Sequence, residues 1–96
     1  MEQRRVVVTG LGALTPLGNT TNEFWNNLIE GKSGGAPIKS FDASKFKTKF
    51  ACELKGYDPL NYFEKSVVRK YDPYTQYALV SAEEAIKDSG LNLDTI

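Results

Sequence analysis

The chain has 96 residues, with 12 basic and 12 acidic side chains, one cysteine and no histidine. A composition of 41% hydrophobic and 25% charged residues is typical of one globular domain, or of a piece of a larger one, and excludes a disordered chain. No apolar run is long enough to cross a bilayer, and the valines after Arg5 are too few for a signal peptide. We therefore expect no membrane association, no internal disulfide, no metal site and a cytoplasmic location.

Charge is distributed unevenly along the chain. Residues 32–70 hold nine basic and four acidic side chains, a net charge of +5, whereas residues 71–96 have a net charge of −4. The central segment is therefore either a surface for an anionic partner or an ordinary solvated loop rich in lysine. A nucleic-acid partner is not expected, because aromatic residues do not interleave with the basic ones as a stacking surface requires.

The first elements are a strand and a helix. Residues 4–9 include three consecutive valines, which predicts a strand buried on both faces, as in a parallel sheet. A helix is predicted from Thr20, where Thr20 and Glu23 form a capping box, to a stop at Gly31. Its apolar stripe includes Trp25, which is expected to be a core anchor.

The middle of the chain is irregular in pattern. Three phenylalanines are expected to fasten a long surface segment onto the core, and they are Phe41, Phe46 and Phe50. A short strand is predicted over residues 50–54. Asp58 and Pro59 predict a turn, with a possible helical turn over residues 60–63.

The last helix has the clearest signals. Asp72 is a favourable N-cap, Pro73 suits the first helical position, and Gly90 closes the helix. One face is mostly small, which allows a neighbouring element to approach closely; its residues are Tyr74, Tyr77, Ala78, Ser81, Ala82, Ala85 and Ile86. Strand, helix, long loop and helix do not cover a doubly buried strand. We therefore predict the N-terminal portion of a larger, layered α/β protein that is not self-sufficient.

The glycine-containing turn after the first strand has a second interpretation. Gly10-Leu11-Gly12-Ala13-Leu14-Thr15 begins like a dinucleotide-binding fingerprint but ends in threonine. Pro16 and Gly18 delay the helix, so its N-terminus would not face a pyrophosphate. A nucleotide-binding fragment is thus a weak alternative, and Gly10, Gly12 and Gly18 are interpreted as structural glycines that allow close backbone approach.

Several short motifs follow one another along nearly the whole chain. They are Arg5-Val6-Val7-Val8-Thr9-Gly10-Leu11-Gly12, Thr15-Pro16-Leu17-Gly18-Asn19-Thr20, the pattern Trp25, Leu28, Gly31, Ser33 and Gly34, then Phe41-Asp42-Ala43-Ser44, Phe50-Ala51, Arg69-Lys70 with Asp72, Gln76-Tyr77-Ala78, and Ala85 with Asp88-Ser89-Gly90-Leu91. In this order the motifs resemble the start of the β-ketoacyl-acyl carrier protein synthases. The Phe-Asp-Ala-Ser segment favours the type II synthases over the type I and starter-unit enzymes. Polyketide ketosynthase domains remain possible.

The resemblance implies a thiolase-like fold in a cytoplasmic homodimer, with residues 1–96 as the N-terminal part of the synthase N-terminal domain. It also implies an acyltransferase of fatty-acid biosynthesis. Such enzymes move an acyl chain from acyl carrier protein to a cysteine and condense it with the carbanion formed by decarboxylation of malonyl-acyl carrier protein. Two histidines assist, and no redox or organic cofactor is needed.

The chain departs from that chemistry, so no catalytic residue is assigned. Cys52 lacks the small neighbours of the family's nucleophile turn, and we expect it to be a buried or half-buried packing residue. The two histidines are absent. The 96 residues are therefore expected to be inactive without the remainder of the subunit. A non-catalytic module that binds acyl carrier protein is the alternative.

The resemblance gives the basic segment a specific role. In the family, positive residues before the last helix help to bind the acidic acyl carrier protein, loaded with acyl or malonyl groups. Arg69 and Lys70 fall on matching positions and Lys65 is nearby, although a usual basic position is occupied by Ser66. The competing interpretation is that Arg69 pairs locally with Asp72.

Overall fold

The computed structural model describes residues 2–95 and contains three helices and one short hairpin ladder in that range. The elements are α1 (Thr21–Ile29), β1 (Ala36–Pro37), β2 (Phe50–Ala51), a 3-10 turn (Pro59–Asn61), α2 (Lys65–Lys70) and α3 (Pro73–Ser89). The radius of gyration is 17.2 Å, whereas a compact domain of this length has about 12–13 Å. The chain is therefore extended, with little core of its own.

The predicted strand over residues 4–9 is not formed. The run is unpaired, and Val6 is 90% and Val8 79% exposed. A strand is defined by its hydrogen-bonded neighbour, and in the described residues the only ladder joins β1 to β2. The expectation of burial on both faces is likewise not met within residues 2–95, where Val6, Val7 and Val8 are 59–90% exposed.

Helix α1 begins and ends where its sequence predicts. The Thr20 hydroxyl accepts a hydrogen bond from the Glu23 amide at 3.2 Å, and Gly31 has a φ of 75° after the last turn. Trp25, however, is 57% exposed, so the expectation that it anchors the core is wrong. The helix is instead held by polar contacts, one of which is the hydrogen bond from the Asn27 side chain to the Leu17 carbonyl.

The hairpin of β1 and β2 is antiparallel, and it is shorter than the strand predicted over residues 50–54. Ala36 pairs with Ala51, and Pro37 pairs with Phe50. Phe41 and Phe46 touch edge to face at a centroid distance of 5.7 Å. Both are more than half exposed, as is Phe50, so these phenylalanines do not fasten the segment to a core. Contact between two surface rings replaces burial.

Cys52 follows β2 directly and is exposed. The expectation of a buried or half-buried thiol is therefore wrong. The half-buried Ala51 occupies the inward position of the strand, and successive strand side chains point to opposite faces.

Helix α3 is the main scaffold and agrees with its predicted boundaries. The Asp72 carboxylate accepts from the Thr75 amide at 3.0 Å, and Gly90 closes the helix with a φ of 72°. Within residues 2–95 the buried residues with apolar side chains are Ala43 and Val80, and the buried polar one is Gln76.

The predicted small face of α3 is covered only in part. Ser81 and Ala85 are half-buried, whereas Tyr74 is 80% exposed and Ala82 is also exposed. The uncovered part has no element against it in the described residues. Over that same range, no helix has the length and apolar character needed to span a membrane.

Candidate functional site

Helix α2 carries all three basic residues singled out from the sequence. Lys65 and Arg69 are four residues apart, which places them on one side of the helix, and Lys70 follows Arg69 in the last turn. All three side chains are exposed. Sequence patterning did not predict α2 as a helix, yet it is the element that brings these cations together.

The cations of α2 make no ion pair within residues 2–95. The two ion pairs found there join Lys32 to Glu30 at 3.2 Å and Lys87 to Glu83 at 3.3 Å. Asp72, which the competing interpretation pairs with Arg69, caps α3. Lys70 lies 5.7 Å from the centre of the Tyr71 ring, a cation–π contact that leaves its charge in place. Helix α2 thus presents three exposed basic side chains that form no ion pair within residues 2–95.

Gln76 of α3 joins α2 to the rest of the chain. Its side-chain nitrogen donates to the Tyr71 carbonyl at 2.9 Å and, more weakly, to the Val68 carbonyl at 3.4 Å. Its side-chain oxygen accepts from the Tyr57 hydroxyl at 2.8 Å. Gln76 is only 5% exposed, so these bonds satisfy a buried amide.

A small aromatic cluster surrounds the Tyr57 end of this network. The Tyr57 ring meets Tyr77 edge to face at 5.2 Å and stacks on Tyr62 at 5.7 Å. Burial, followed by the nearby Tyr77 and Tyr62 hydroxyls, raises the pKa of Tyr57 above its usual value of 10.0. Tyr57 therefore stays protonated at neutral pH and keeps its donor for Gln76.

The glycine-containing turn does not form a phosphate-binding cradle. The Leu11 amide donates to the Asp88 carboxylate at 2.9 Å, and the Ala13 amide donates to the Glu84 carboxylate at 2.7 Å. A phosphate at this turn would lose these donors and meet two negative charges. The nucleotide-binding alternative is therefore wrong for this turn.

The structural interpretation of Gly10 and Gly12 is confirmed. A Cβ atom on Gly10 would lie 2.6 Å from the Ser89 nitrogen, and one on Gly12 would lie 2.9 Å from the Ala85 nitrogen. Both obstacles are backbone atoms of α3, which cannot rotate away. The turn lies directly on the helix because these two positions lack side chains.

The structure does not bring together a nucleophile and a base around Cys52. Cys52 is exposed after β2 and does not lie at the start of a helix. Among residues 2–95 no three cysteine, aspartate or glutamate side chains are grouped as a metal site would require. The candidate site is therefore a binding surface on α2.

Sequence comparison identifies the relatives of the chain. A family model described as "Beta-ketoacyl synthase, N-terminal domain" matches residues 3–96. The 3-oxoacyl-[acyl-carrier-protein] synthase 2 of Coxiella burnetii is 47% identical over 94 residues, covering 98% of this chain and 23% of that protein. The protein of the same name from Synechocystis is 38% identical over 96 residues, covering 100% and 23%. The chain thus spans about a quarter of the length of these curated relatives.

Solved structures give the same result for the fold. The ishigamide ketosynthase/chain length factor superposes with a TM-score of 0.87 at 33% identity, covering 99% of this chain and 24% of that one. A type II polyketide acyl carrier protein in complex with its ketosynthase gives a TM-score of 0.66 at 25% identity, covering 94% and 23%. The prediction of mixed helix and strand is confirmed, and the superpositions are consistent with the N-terminal part of a thiolase-like fold. The chain belongs to the beta-ketoacyl synthase family and matches its N-terminal domain.

Proposed function

We propose that the chain is the N-terminal part of a 3-oxoacyl-[acyl-carrier-protein] synthase that elongates fatty acids. The whole enzyme would condense an acyl group with malonyl-acyl carrier protein by decarboxylative Claisen chemistry. Support comes from curated relatives of that name, which are 38–47% identical. The two ketosynthase structures are less similar, at 33% and 25%, which favours the fatty-acid synthases over the polyketide enzymes.

In this proposal the chemical step belongs to residues outside the chain. The 96 residues hold no histidine, and their single cysteine has the surroundings of an ordinary surface thiol. The remainder of the subunit would supply the nucleophile, pair with residues 4–9 and cover the exposed valines. The complete enzyme would be a cytoplasmic homodimer.

The contribution of this chain is a docking surface for acyl carrier protein. The observation that carries this proposal is the grouping of Lys65, Arg69 and Lys70 on α2, exposed and without an ion pair in the described part of the chain. An acidic partner would meet this charge without first displacing an internal carboxylate. Such contacts steer association and weaken as salt screens them.

The test is a double charge reversal in the complete enzyme. We expect Arg69→Glu/Lys70→Glu to weaken acyl carrier protein binding by roughly tenfold or more at low salt, mostly through a slower association rate. The loss should shrink at about 0.5 M salt, where the screening length falls to about 4 Å. Titration followed by stopped-flow fluorescence measures both quantities.

A matched control is Lys45→Glu/Lys47→Glu, which makes the same change in net charge at two exposed lysines that lie outside α2. This control should weaken binding much less than the α2 variant does. Unchanged affinity of the α2 variant at low salt would refute the docking assignment. Equal losses of affinity in both variants would show that binding depends on the net charge of the enzyme and not on the position of the α2 residues.

A further inference from the structure

We propose that Gln76 is a positioning residue for acyl carrier protein docking, because it fixes the orientation of the helix that presents the cations. This inference rests on the proposed docking function of α2. Gln76 touches none of the three basic side chains through a hydrogen bond. It acts through the backbone of α2, to which its side chain binds near the helix end.

Within residues 2–95, helix α2 packs against the 3-10 turn (Pro59–Asn61) and has few other contacts that fix its orientation. It is six residues long, and its N-cap residue, Glu64, makes no side-chain capping bond. Isolated helices of this length are unstable in water. Val67 and Val68 are only half-buried, and in residues 2–95 no apolar side chain of α2 is fully buried. The polar link to Gln76 is therefore a large part of what anchors it.

The position of the Gln76 link also matters. Carbonyl groups in the last turn of a helix lack partners within the helix. Gln76 supplies a donor to two of them, those of Val68 and Tyr71, on either side of Arg69 and Lys70. The opposite end of the amide is fixed by the Tyr57 hydroxyl. The orientation of the Gln76 amide is thus determined at both ends, and two of the three basic residues, Arg69 and Lys70, are held between the two bonded carbonyls.

Orientation and charge should affect different rate constants. Long-range attraction depends on the total charge of the surface, so it survives a modest rotation of α2. The short-range contacts of the bound state require the basic groups to be in the correct place, and their loss appears in the dissociation rate. A Gln76 variant should therefore dissociate faster with an unchanged salt dependence of association, whereas the charge reversal changes association and its salt dependence.

The experiment uses the complete enzyme with Gln76→Met, which keeps the length of the side chain and removes its hydrogen bonds. We expect the KM for an acyl carrier protein-bound acyl substrate to rise roughly three- to tenfold, as the loss of one or two hydrogen bonds implies. The KM for a small acyl thioester that lacks the carrier protein should stay unchanged. Stopped-flow binding should assign the loss to the dissociation rate.

Two further variants keep the test decisive. Ser81→Ala removes a half-buried hydroxyl of α3 that bonds only to the Tyr77 carbonyl, and it should leave both KM values unchanged. Tyr57→Phe removes the hydrogen bond that orients Gln76 while preserving the ring. It should raise the carrier-protein KM by about twofold to threefold. This milder variant provides the measurement if Gln76→Met fails to fold.

The outcomes separate this inference from the docking proposal. If Arg69→Glu/Lys70→Glu weakens carrier-protein binding but neither Gln76→Met nor Tyr57→Phe changes the carrier-protein KM, the positioning role is refuted and docking stands. A parallel rise in both KM values would also refute it, because that result reports general damage. If the charge reversal itself has no effect, docking fails and the positioning role fails with it.

Discussion

The contact between the glycine-containing turn and α3 gives the sharpest stability prediction. In Gly12→Ala the new methyl group would lie 2.9 Å from the Ala85 nitrogen and from the Ser81 carbonyl carbon. Both atoms belong to the backbone in the middle of a 17-residue helix. The helix cannot yield there without breaking its own hydrogen bonds, so the turn must either be strained or move away.

Both responses have a similar cost. Forcing one methyl group into a closely packed contact costs about 1–3 kcal/mol. Moving the turn away breaks the bond from the Ala13 amide to the Glu84 carboxylate, and a hydrogen bond to a charged group contributes about 1.5–3 kcal/mol. We therefore expect the docked turn to lose about 2–3 kcal/mol by either route.

Hydrogen exchange of the complete enzyme measures this loss locally. Amides that exchange by opening of the turn, those of Leu11 and Ala13, should exchange roughly 30- to 150-fold faster in Gly12→Ala. The control is Gly35→Ala, where the new methyl group would meet only the flexible Ser33 hydroxyl, at 3.4 Å. That variant should be neutral or slightly stabilising. Equal exchange at Leu11 and Ala13 in the two variants would refute the close-contact argument.

Two other predictions concern carboxylates that hold backbone amides. Glu84→Gln should lower the free energy of unfolding by about 1–3 kcal/mol, because one amide oxygen cannot replace a carboxylate that accepts from both Ala13 and Thr21. Thermal melting checks this prediction. A decrease in melting temperature no larger than that of the neighbouring Glu83→Gln would contradict it. Hydrogen bonding from Ser40, and then from the Lys39 amide, lowers the pKa of Glu53 below its usual 4.5. The ionised Glu53 carboxylate therefore stabilises the fold above pH 4.5, and this stabilisation is lost as the pH falls through the lowered pKa. The loss of stability in acid should be shallower in Glu53→Gln, and identical acid unfolding curves for the two proteins would exclude this role.

Elements that are stabilised by residues close in the sequence could be predicted from the sequence. Helices α1 and α3 begin at Thr20 and Asp72, whose side chains bond to amides three residues ahead, and the αL glycine that closes α3 lies directly after its last residue. These are local interactions with strong residue preferences. The family followed from the same sequence through several short motifs in the correct order.

Features that depend on distant residues could not be predicted in this way. Helix α2 is short, contains two β-branched valines and has no side-chain cap, so nothing local favours it. Its C-terminal end is bonded by Gln76, which in the sequence was noted only as part of a family motif, without any contact to α2. Trp25 was misjudged for the opposite reason, since its apolar character predicts burial but no element of the described chain covers it.

The candidate site contains some features that the sequence predicts and others that depend on distant contacts. Arg69 and Lys70 were found because a family motif marks them, and Lys65 because it lies close to them in the sequence, whereas the helix that places Lys65 and Arg69 on one side was not predicted. Glu84 and Asp88 were missed as organisers of the glycine-containing turn. The turn amides that they bind, those of Ala13 and Leu11, are more than 70 residues away, and no spacing rule connects positions so far apart.

That same separation has a consequence for the newly made chain. The Ala13 amide leaves the ribosome 71 residues before the Glu84 carboxylate that receives it, and Leu11 precedes Asp88 by 77 residues. At a synthesis rate of about 5–20 residues per second, the turn waits roughly 4–15 seconds for its partners. The run from Val6 to Val8 is still 59–90% exposed after the turn has docked on α3, so this short, uncharged, β-prone segment is available to other chains throughout. Arg4 and Arg5, directly in front of it, are placed as charged gatekeepers against aggregation.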